Sequence, residues 1–409
     1  MSSNMSTADA ILKEDYLPVV REQLNDKAQF LMQIEQNSSD IEGRRAVLSL
    51  HVSRNSGVGS RRDNATLPTA GNQGSAEERI PVYHHYGRIE LTGPVMRASK
   101  SDKGSFTRAL RYEQSNLVDD LKRDLNRQAF GDGTGAIAAC TVSTTGQTTV
   151  LLASSTTAVQ MRQFEVGMLV DIGTLAELNA GSGGPTYGNA IVSVDVANKS
   201  FVLTSNLSSA TASTDFVARS GNGGALGGST QKEITGLQAI VDSSGSLFNV
   251  DPSTYPVWAS VENTTGGTPT ENLFAKVMHE IEIAGGSNID FIVCSDGVHR
   301  AFANNLTAQK RFASTIDLKG GYKELDVAAG GGSVPLVWDR DCPAQSAYFL
   351  TKKHLTLFSQ SDWEWMDDDG AVLSRVLNKD AYEAVLYRDL ELATDKRNAH
   401  GKATGLTEA

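Results

Sequence analysis

The sequence of 409 residues has few of the side chains that make metal or redox sites. Its three cysteines, Cys140, Cys294 and Cys342, lie far apart and form no CxxC pair. This spacing predicts reduced thiols and argues against a disulfide framework or a zinc site. No apolar run approaches the roughly 20 residues that span a bilayer. The polar start, residues 1–9, lacks the apolar core of a signal peptide.

Positive charge is also scarce, with 37 Lys and Arg against 48 Asp and Glu and a formal net charge of −11. A protein that condenses DNA needs the opposite balance, so this composition argues against histone-like binding. Lysine is absent between Lys27 and Lys100. Five arginines nevertheless lie close together in the same part of the chain. They are Arg44, Arg45, Arg54, Arg61 and Arg62. We interpret them either as a solvated surface or as a contact for an acidic partner, which could be nucleic acid or a neighbouring subunit.

The sequence does not match the residue spacing of known nucleotide-binding or zinc-binding motifs. Gly401-Lys402 is not followed by Ser or Thr, so it cannot form a P-loop. The glycine-rich residues 131–135 follow a predicted helix, where a dinucleotide fingerprint requires a strand. His279-Glu280 lacks a second histidine one helical turn later, where Ile283 stands. We therefore expect no catalytic residue, no metal ligand and no cofactor.

An acidic run, Asp367, Asp368 and Asp369 followed by Gly370, resembles part of a calcium loop. With Gly370 at the sixth position, the first and twelfth positions would be Trp365 and Val376, and neither supplies a side-chain oxygen ligand. The run is better interpreted as a tight acidic turn between two strands.

Hydrophobic periodicity predicts the elements of the first third of the chain. Residues 17–34 show the spacing of a helix broken near Pro18. Residues 44–55 and 79–92 read as two strands, and the polar residues 56–78 read as a long loose tip between them. Such a hairpin is marginal alone in water and must lie on another surface. Ser105 to Phe130 is the clearest helix, about 38 Å long, with an apolar stripe and a glycine-rich end.

The composition changes after Gly135. Residues 136–230 contain only eight charged side chains and several short apolar runs, which predicts a small all-β insertion, a sandwich or a barrel. A disordered linker is the alternative. From residue 234 the chain mixes helices and strands without strict alternation, with a helix at Glu271 to Ala284 and a buried strand at Phe291 to Val293. This order favours an α+β fold over a doubly wound sheet.

Several stretches resemble the major capsid proteins of tailed bacteriophages, which have the Hong Kong 97-like fold. The resemblance rests on order and spacing, and no single motif is catalytic. It covers most of the chain except residues 136–230. The matching stretches are residues 50–58 (LHVSRNSGV), 67–71, 89–93 (IELTG), 124–135 (DLNRQAFGDGTG), 320–325, 337–343 (VWDRDCP), 347–350, 380–391 and 397–399.

The resemblance implies a particular division of an α+β chain. The expected parts are an N-terminal arm with a helix in residues 1–45, an extension loop in 46–92, a spine helix of the peripheral domain in 93–135, an all-β insertion domain in 136–230, a mainly axial domain in 231–345, and peripheral-domain strands with the C-terminus in 346–409.

The implied function is a major capsid protein that assembles as hexamers and pentamers into an icosahedral head around double-stranded DNA. It would be made in the host bacterial cytoplasm and end in the virion. Its expected partners are other copies of itself, a portal protein and a separate scaffolding protein, and a decoration protein is left open. We expect the five arginines to meet acidic residues of an adjacent subunit. The candidates include Asp119, Asp120, Asp367, Asp368 and Asp369.

Some members of this family join subunits by an isopeptide bond from a lysine on the extension loop. The lysine-free stretch between Lys27 and Lys100 lacks that nucleophile, which predicts a shell without this cross-link. Two other functions stay open at this stage. One is an encapsulin-like nanocompartment shell, which shares the fold. The other is a hydrolase or carbohydrate-binding surface protein, which would need a catalytic pair or an aromatic face.

Overall fold

The computed structural model describes residues 30–37, 45–94, 103–224, 226, 231–309, 316–317, 323–329, 332–367, 372 and 374–409. The helix expected from residue 17 lies largely outside these ranges. Its described end is a 3-10 turn, Leu31–Gln33, followed by a strand.

The described residues form strands and helices in this order. The strands are β1 (Glu35–Asn37), β2 (Arg45–Ser53), β3 (Gly74–Pro81), β4 (Tyr83–Thr92), β5 (Ala136–Ala139), β6 (Thr149–Leu151), β7 (Leu169–Gly173), β8 (Thr186–Asp195), β9 (Ser200–Leu203), β10 (Phe216–Arg219), β11 (Val261–Asn263), β12 (Phe291–Cys294), β13 (Ile316–Asp317), β14 (Lys323–Ala329), β15 (Gly332–Trp338), β16 (Ser346–Leu350), β17 (Thr356–Ser359), β18 (Glu364–Trp365), β19 (Ser374–Arg375), β20 (Ala381–Ala393) and β21 (Gly401–Thr404). The helices are α1 (Lys103–Ala129), α2 (Ala158–Met161), α3 (Leu175–Ala180), α4 (Leu237–Ile240), α5 (Glu271–Gly285) and α6 (Asp296–Gln309).

The long helix α1 packs against a six-stranded sheet built around β20. Strand β4 pairs along one edge of β20, while β17, β18 and β19 pair in turn along the other edge. The short strand β1 pairs with β17 in parallel. Gly87 of β4 is needed for this packing, because a Cβ there would lie 2.6 Å from Leu121 Cδ1 and 2.9 Å from Leu117 Cδ1. The two leucines belong to the predicted apolar stripe of α1.

The second sheet has seven strands in the order β11-β21-β16-β12-β15-β14-β13 and is buried on both faces. Ile292 and Cys294 of β12 face a core formed with α5 and α6, whereas Phe291 and Val293 face a second core that includes Phe130 at the end of α1. This alternation follows from the two-residue period of a strand. The sheet is therefore the central layer of the molecule.

Residues 136–219 form a third sheet with a core of its own. Its six antiparallel strands run in the order β5-β10-β7-β8-β9-β6. The Thr141 amide donates to the Leu151 carbonyl at 2.9 Å, and the Ala153 amide donates to the Ala139 carbonyl at 2.9 Å, so the ends of the sheet meet as in a small barrel. The prediction of an all-β insertion was wrong in one detail, because the short helices α2 and α3 lie between strands, each opened by a capping box.

The hairpin predicted from residues 44–55 and 79–92 has different strands. Strand β2 pairs with β3, which begins at Gly74 within the supposed loop. The segment 79–92 divides at Val82, and β4 leaves the hairpin to pair with β20. The sequence did not reveal this because both halves show similar alternation. Below, the hairpin means Arg45–Pro81, and its tip means residues 54–73.

Candidate assembly surfaces

The tip of the hairpin is the most exposed long segment among the described residues, since none of its side chains is buried. Its contacts are local, such as the Gly57 amide donating to Asn55 Oδ1 at 2.7 Å. Two large apolar side chains, Val58 and Leu67, are 86% and 80% exposed. A two-stranded ribbon with an open tip is marginally stable on its own. The tip is therefore a surface that another molecule can cover.

Four of the five predicted arginines lie on this hairpin, and Arg44 lies outside the described residues. Arg45 stands in β2, and Arg54, Arg61 and Arg62 belong to the tip; all four are exposed. Arg61 donates from Nε to the Thr66 carbonyl at 3.0 Å and from Nη1 to the Ser60 carbonyl at 2.9 Å. No carboxylate of the described residues forms an ion pair with Arg54 or Arg62. The guanidinium groups are available to a partner.

The acidic residues proposed as their counterparts lie elsewhere in the chain. Asp119 and Asp120 of α1 are 3.7 Å from Lys122 and 3.3 Å from Arg123, respectively. Asp367 is exposed after β18, and Asp368 and Asp369 lie outside the described residues. Within one chain, none of the described candidate acids, Asp119, Asp120 and Asp367, forms an ion pair with the four described arginines, so their pairing between subunits stays a prediction.

A buried polar junction at the end of α1 was not foreseen from the sequence. Asn126 donates to Asp339 Oδ1 at 3.0 Å and to Asp341 Oδ2 at 2.8 Å. The Phe30 amide donates to Asp339 Oδ2 at 3.2 Å, and Gln163 Nε2 donates to Asp341 Oδ1 at 3.0 Å. The junction therefore connects four segments, including the N-terminal segment and the insertion. Burial raises the pKa of Asp339, although these hydrogen bonds oppose the shift.

A second network ties α1 to the insertion through charge. Arg127 bonds to Asp124 at 3.0 Å and pairs with Glu233 at 2.5 Å, and Arg219 of β10 lies 3.4 Å from Asp124. Burial alone would raise the pKa of Asp124, but the two guanidinium groups outweigh it and hold this pKa at about 2. Asp124 is therefore ionised at neutral pH.

Arg397, near the C-terminus, is the centre of a third hydrogen-bond network. Only 1% of this residue is exposed. Its guanidinium donates to the carbonyls of Ala239, Ile240, Ser244 and Gly245 at 2.9 to 3.0 Å. Two of these carbonyls end helix α4 and would otherwise lack hydrogen-bond donors.

Residues of these three networks lie in stretches that resemble phage capsid proteins. Asp124, Asn126 and Arg127 come from residues 124–135, Asp339 and Asp341 come from 337–343, and Arg397 comes from 397–399. The sequence signal was present as polar residues beside apolar ones, but their partners are far away in the chain. These stretches therefore contain residues that link distant parts of the fold.

Other site classes find little support in the described part of the chain. It contains no group of three or more His, Cys, Asp or Glu side chains placed to hold a metal ion. His84 and His85 point to opposite faces of β4, with His84 bonded to Asp389 at 2.6 Å and His85 to Gln128 at 2.8 Å. Among the described helices, we find none with the length and apolar character needed to cross a membrane.

Comparison with known proteins gives a family. Residues 96–407 match the family model described as the SU10 major capsid protein. No curated protein matches the chain in sequence. The fold is similar to that of the cyanophage A-1(L) capsid asymmetric unit, with a TM-score of 0.61, 13% identity, and coverage of 99% of this chain and 100% of that one.

Two further solved structures are similar over almost the full length. The capsid of a native GTA particle has a TM-score of 0.50 and 10% identity, with 99% of each chain covered. The SrpI encapsulin of Synechococcus elongatus has a lower TM-score of 0.48 and 8% identity, covering 100% of this chain and 97% of that one. The mixed α+β fold is thus that of phage capsid structures. Because the family model spans more than half of the sequence, the chain belongs to the SU10 major capsid protein family.

Proposed function

We propose that this capsid protein assembles as hexamers and pentamers into an icosahedral head that encloses double-stranded DNA. The observation that carries the proposal is the exposed hairpin tip, residues 54–73, in a chain of the SU10 major capsid protein family. In this role the chain acts by burying surface against its copies and performs no catalysis. The virion is its site of action, after synthesis in the host bacterial cytoplasm.

The division of the chain that the resemblance implies can be stated in terms of the sheets. The hairpin would form most of the extension loop, while β4 would belong to the peripheral domain with α1 and β20. The seven-stranded sheet with α5 and α6 would form the axial domain. The barrel-like sheet of residues 136–219 would be the insertion domain. Separate cores for the insertion and for the α5–α6 side support this assignment.

Assembly of this kind is driven by the burial of surface. Interfaces in permanent assemblies bury about 2,000 Å² or more. At about 25 cal/mol per Å² of apolar area, the gross gain reaches tens of kcal/mol before the costs of association are subtracted. Exposed ion pairs contribute only about 0–1 kcal/mol each, so the arginines would act by number and by setting register.

Partners follow from the same role. A portal protein and a separate scaffolding protein would act with the shell, and a decoration protein could bind its outside.

The absence of lysine between Lys27 and Lys100 supports a shell held by non-covalent contacts. Boiling mature particles in SDS would then release one band near 43.7 kDa. A ladder resistant to reducing agents would contradict this part of the proposal.

Charge reversal of the tip tests the proposed contact. In the double variant Arg61→Glu, Arg62→Glu we expect a folded, soluble subunit that assembles poorly, because two exposed cations become anions. The matched control is Arg61→Lys, Arg62→Lys, which keeps the charge and should assemble. Shell yield is measured by sedimentation and folding by circular dichroism. Normal shells from the Glu variant would refute a role for these arginines.

A further inference from the structure

One buried residue of the hairpin breaks the pattern of its neighbours. The side chains of β2 and β3 that face inward are Ala46, Leu48, Leu50, Val52, Ala76, Glu78 and Ile80, and Glu78 is the single ionisable group among them. Glu78 stands directly opposite Leu48, and its exposed fraction is 0%. A charged residue at an apolar position conflicts with the local folding pattern, and such conflicts are typical of functional positions.

The carboxyl of Glu78 is also unpartnered. Within the part of the chain that the structure describes, neither Oε1 nor Oε2 has a hydrogen-bond partner. Its neighbour Glu77, on the exposed face of the same strand, is instead bonded to Arg79 at 3.1 Å. An ionised carboxylate without a partner is very costly in an apolar core, so the docked group is the neutral acid.

Among the described residues, no cation compensates the charge that Glu78 would carry. Asp395, which follows β20 and is bonded to His354 at 2.8 Å, is the charged group that acts on Glu78, and its charge is of the same sign. Across the hairpin, Arg45 acts on the exposed Glu77. Burial first, and Asp395 second, raise the pKa of Glu78 to about 9.

Glu78 lies where the hairpin meets the rest of the chain. The next residue, Arg79, donates its amide to the Phe248 carbonyl at 2.9 Å. Phe248 and Asn249 form a turn with φ of 49° and 73°, a left-handed conformation that costs free energy in non-glycine residues. Ala46 and Ile80 enter the same core as Phe248. Beyond this base, the tip contains no buried residue.

We propose that Glu78 is a proton-dependent latch. While its carboxyl is neutral, the hairpin base stays packed against the 247–250 turn, and loss of the proton releases the base because an ionised carboxylate is too costly to keep buried there. Release of the hairpin base is coupled to the loss of one proton from Glu78 to water. Lower pH therefore favours the docked hairpin. The latch concerns the single chain, so it can be tested without any shell.

The sign follows from linkage between protonation and docking. The pKa of Glu78 is about 9 when the hairpin is docked, and its ordinary value is 4.5 when the hairpin is released. The docking free energy is therefore fully present below about pH 4.5 and is lost as the pH rises toward 9. In this window the release equilibrium increases about tenfold for each pH unit. Between pH 6 and 8 the expected change is about 100-fold.

Hydrogen exchange on the purified full-length chain tests the latch. We expect protection factors in β2 and β3, corrected for intrinsic exchange at each pH, to fall about 100-fold from pH 6 to 8. In Glu78→Gln the fall should disappear, because the amide cannot ionise. The matched control is Glu77→Gln, which should keep the wild-type fall. Strand β12, central in the seven-stranded sheet, provides the internal reference and should not follow the hairpin.

Two outcomes would overturn the proposal. One is a wild-type hairpin whose protection factors do not change with pH. The other is a Glu78→Gln hairpin that keeps the wild-type pH dependence. If Glu78→Gln does not fold, Glu78→Leu replaces it, since an apolar side chain of similar size satisfies the same core and also lacks the proton. Failure of the latch would leave the proposed assembly untouched, because no shell is measured.

Discussion

Replacing Arg397 should weaken the subunit more than replacing any exposed arginine. The variant Arg397→Met keeps the length of the apolar stem but removes all donors to the carbonyls of Ala239, Ile240, Ser244 and Gly245. The hydrogen bonds to the carbonyls of Ala239 and Ile240 are buried, while those to Ser244 and Gly245 are only partly buried. Water can therefore replace part of the lost bonding, near Ser244 and Gly245.

The expected loss of stability depends on how many carbonyl acceptors are left without a donor. A buried acceptor left unsatisfied costs about 1–3 kcal/mol. With two buried acceptors and two that water can reach, we expect a loss of about 3–5 kcal/mol. The burial that lowers the pKa of Arg397 to about 10 leaves the guanidinium charged at neutral pH, and removing this desolvated charge offsets part of the cost.

Urea unfolding followed by tryptophan fluorescence measures the effect, since Trp258 is buried and its 3-10 turn lies against the turn of Arg397. The expected result is a midpoint lower by about 1 M or more. Arg397→Lys should fall between the wild type and Arg397→Met, because an ammonium group can reach some of the carbonyls. A midpoint of Arg397→Met within about 0.2 M of the wild type would refute this assignment of the buried hydrogen bonds.

Three further predictions concern the packing of α1, the C-terminal histidine and the insertion. Gly87→Val should destabilise the chain by about 1–3 kcal/mol in thermal unfolding, because its side chain would collide with Leu117 and Leu121, whereas Tyr86→Val on the exposed face should have little effect. Burial lowers the pKa of His400 to about 4, so its contribution of about 3 kcal/mol is present above pH 6.5 and lost as the pH falls toward 4; His400→Gln should flatten this part of the stability profile, and an unchanged profile would contradict it. Replacing Thr141–Arg219 with a short Gly/Ser linker should leave circular dichroism and cooperative unfolding of the remaining chain, because the other two cores contain no residue of this segment and Ala139 pairs with Phe216 where the segment begins and ends; aggregation without a folded core would contradict it.

Elements with strong local patterns could be predicted from the sequence. Helix α1 lies within two residues of its predicted start. A local contact also opens α6, where the Val298 amide is bonded to Ser295 Oγ at 3.4 Å. The turn between β8 and β9 is local as well, since the Asn198 backbone amide donates to Asp195 Oδ1 at 3.0 Å. In each case the signal lies within a few neighbouring residues.

The parts that were missed depend on distant partners. Strand β4 leaves the hairpin because β20, about three hundred positions later, offers it a full edge. Residues 35–37 become a strand because β17 lies beside them. Asn126, Asp339 and Gln163 form one junction from three separate regions of the chain. No periodicity in a local window contains this information, since it arises only when the sheets are assembled.

The central claim is that the chain builds a closed shell through its hairpin. Electron microscopy of the purified full-length protein, followed by reconstruction of the particles, tests it most directly. We predict closed icosahedral shells in which the tip, residues 54–73, lies on an adjacent subunit with Arg54, Arg61 and Arg62 near its carboxylates. Particles that never close, or shells in which each tip contacts only its own chain, would contradict the account.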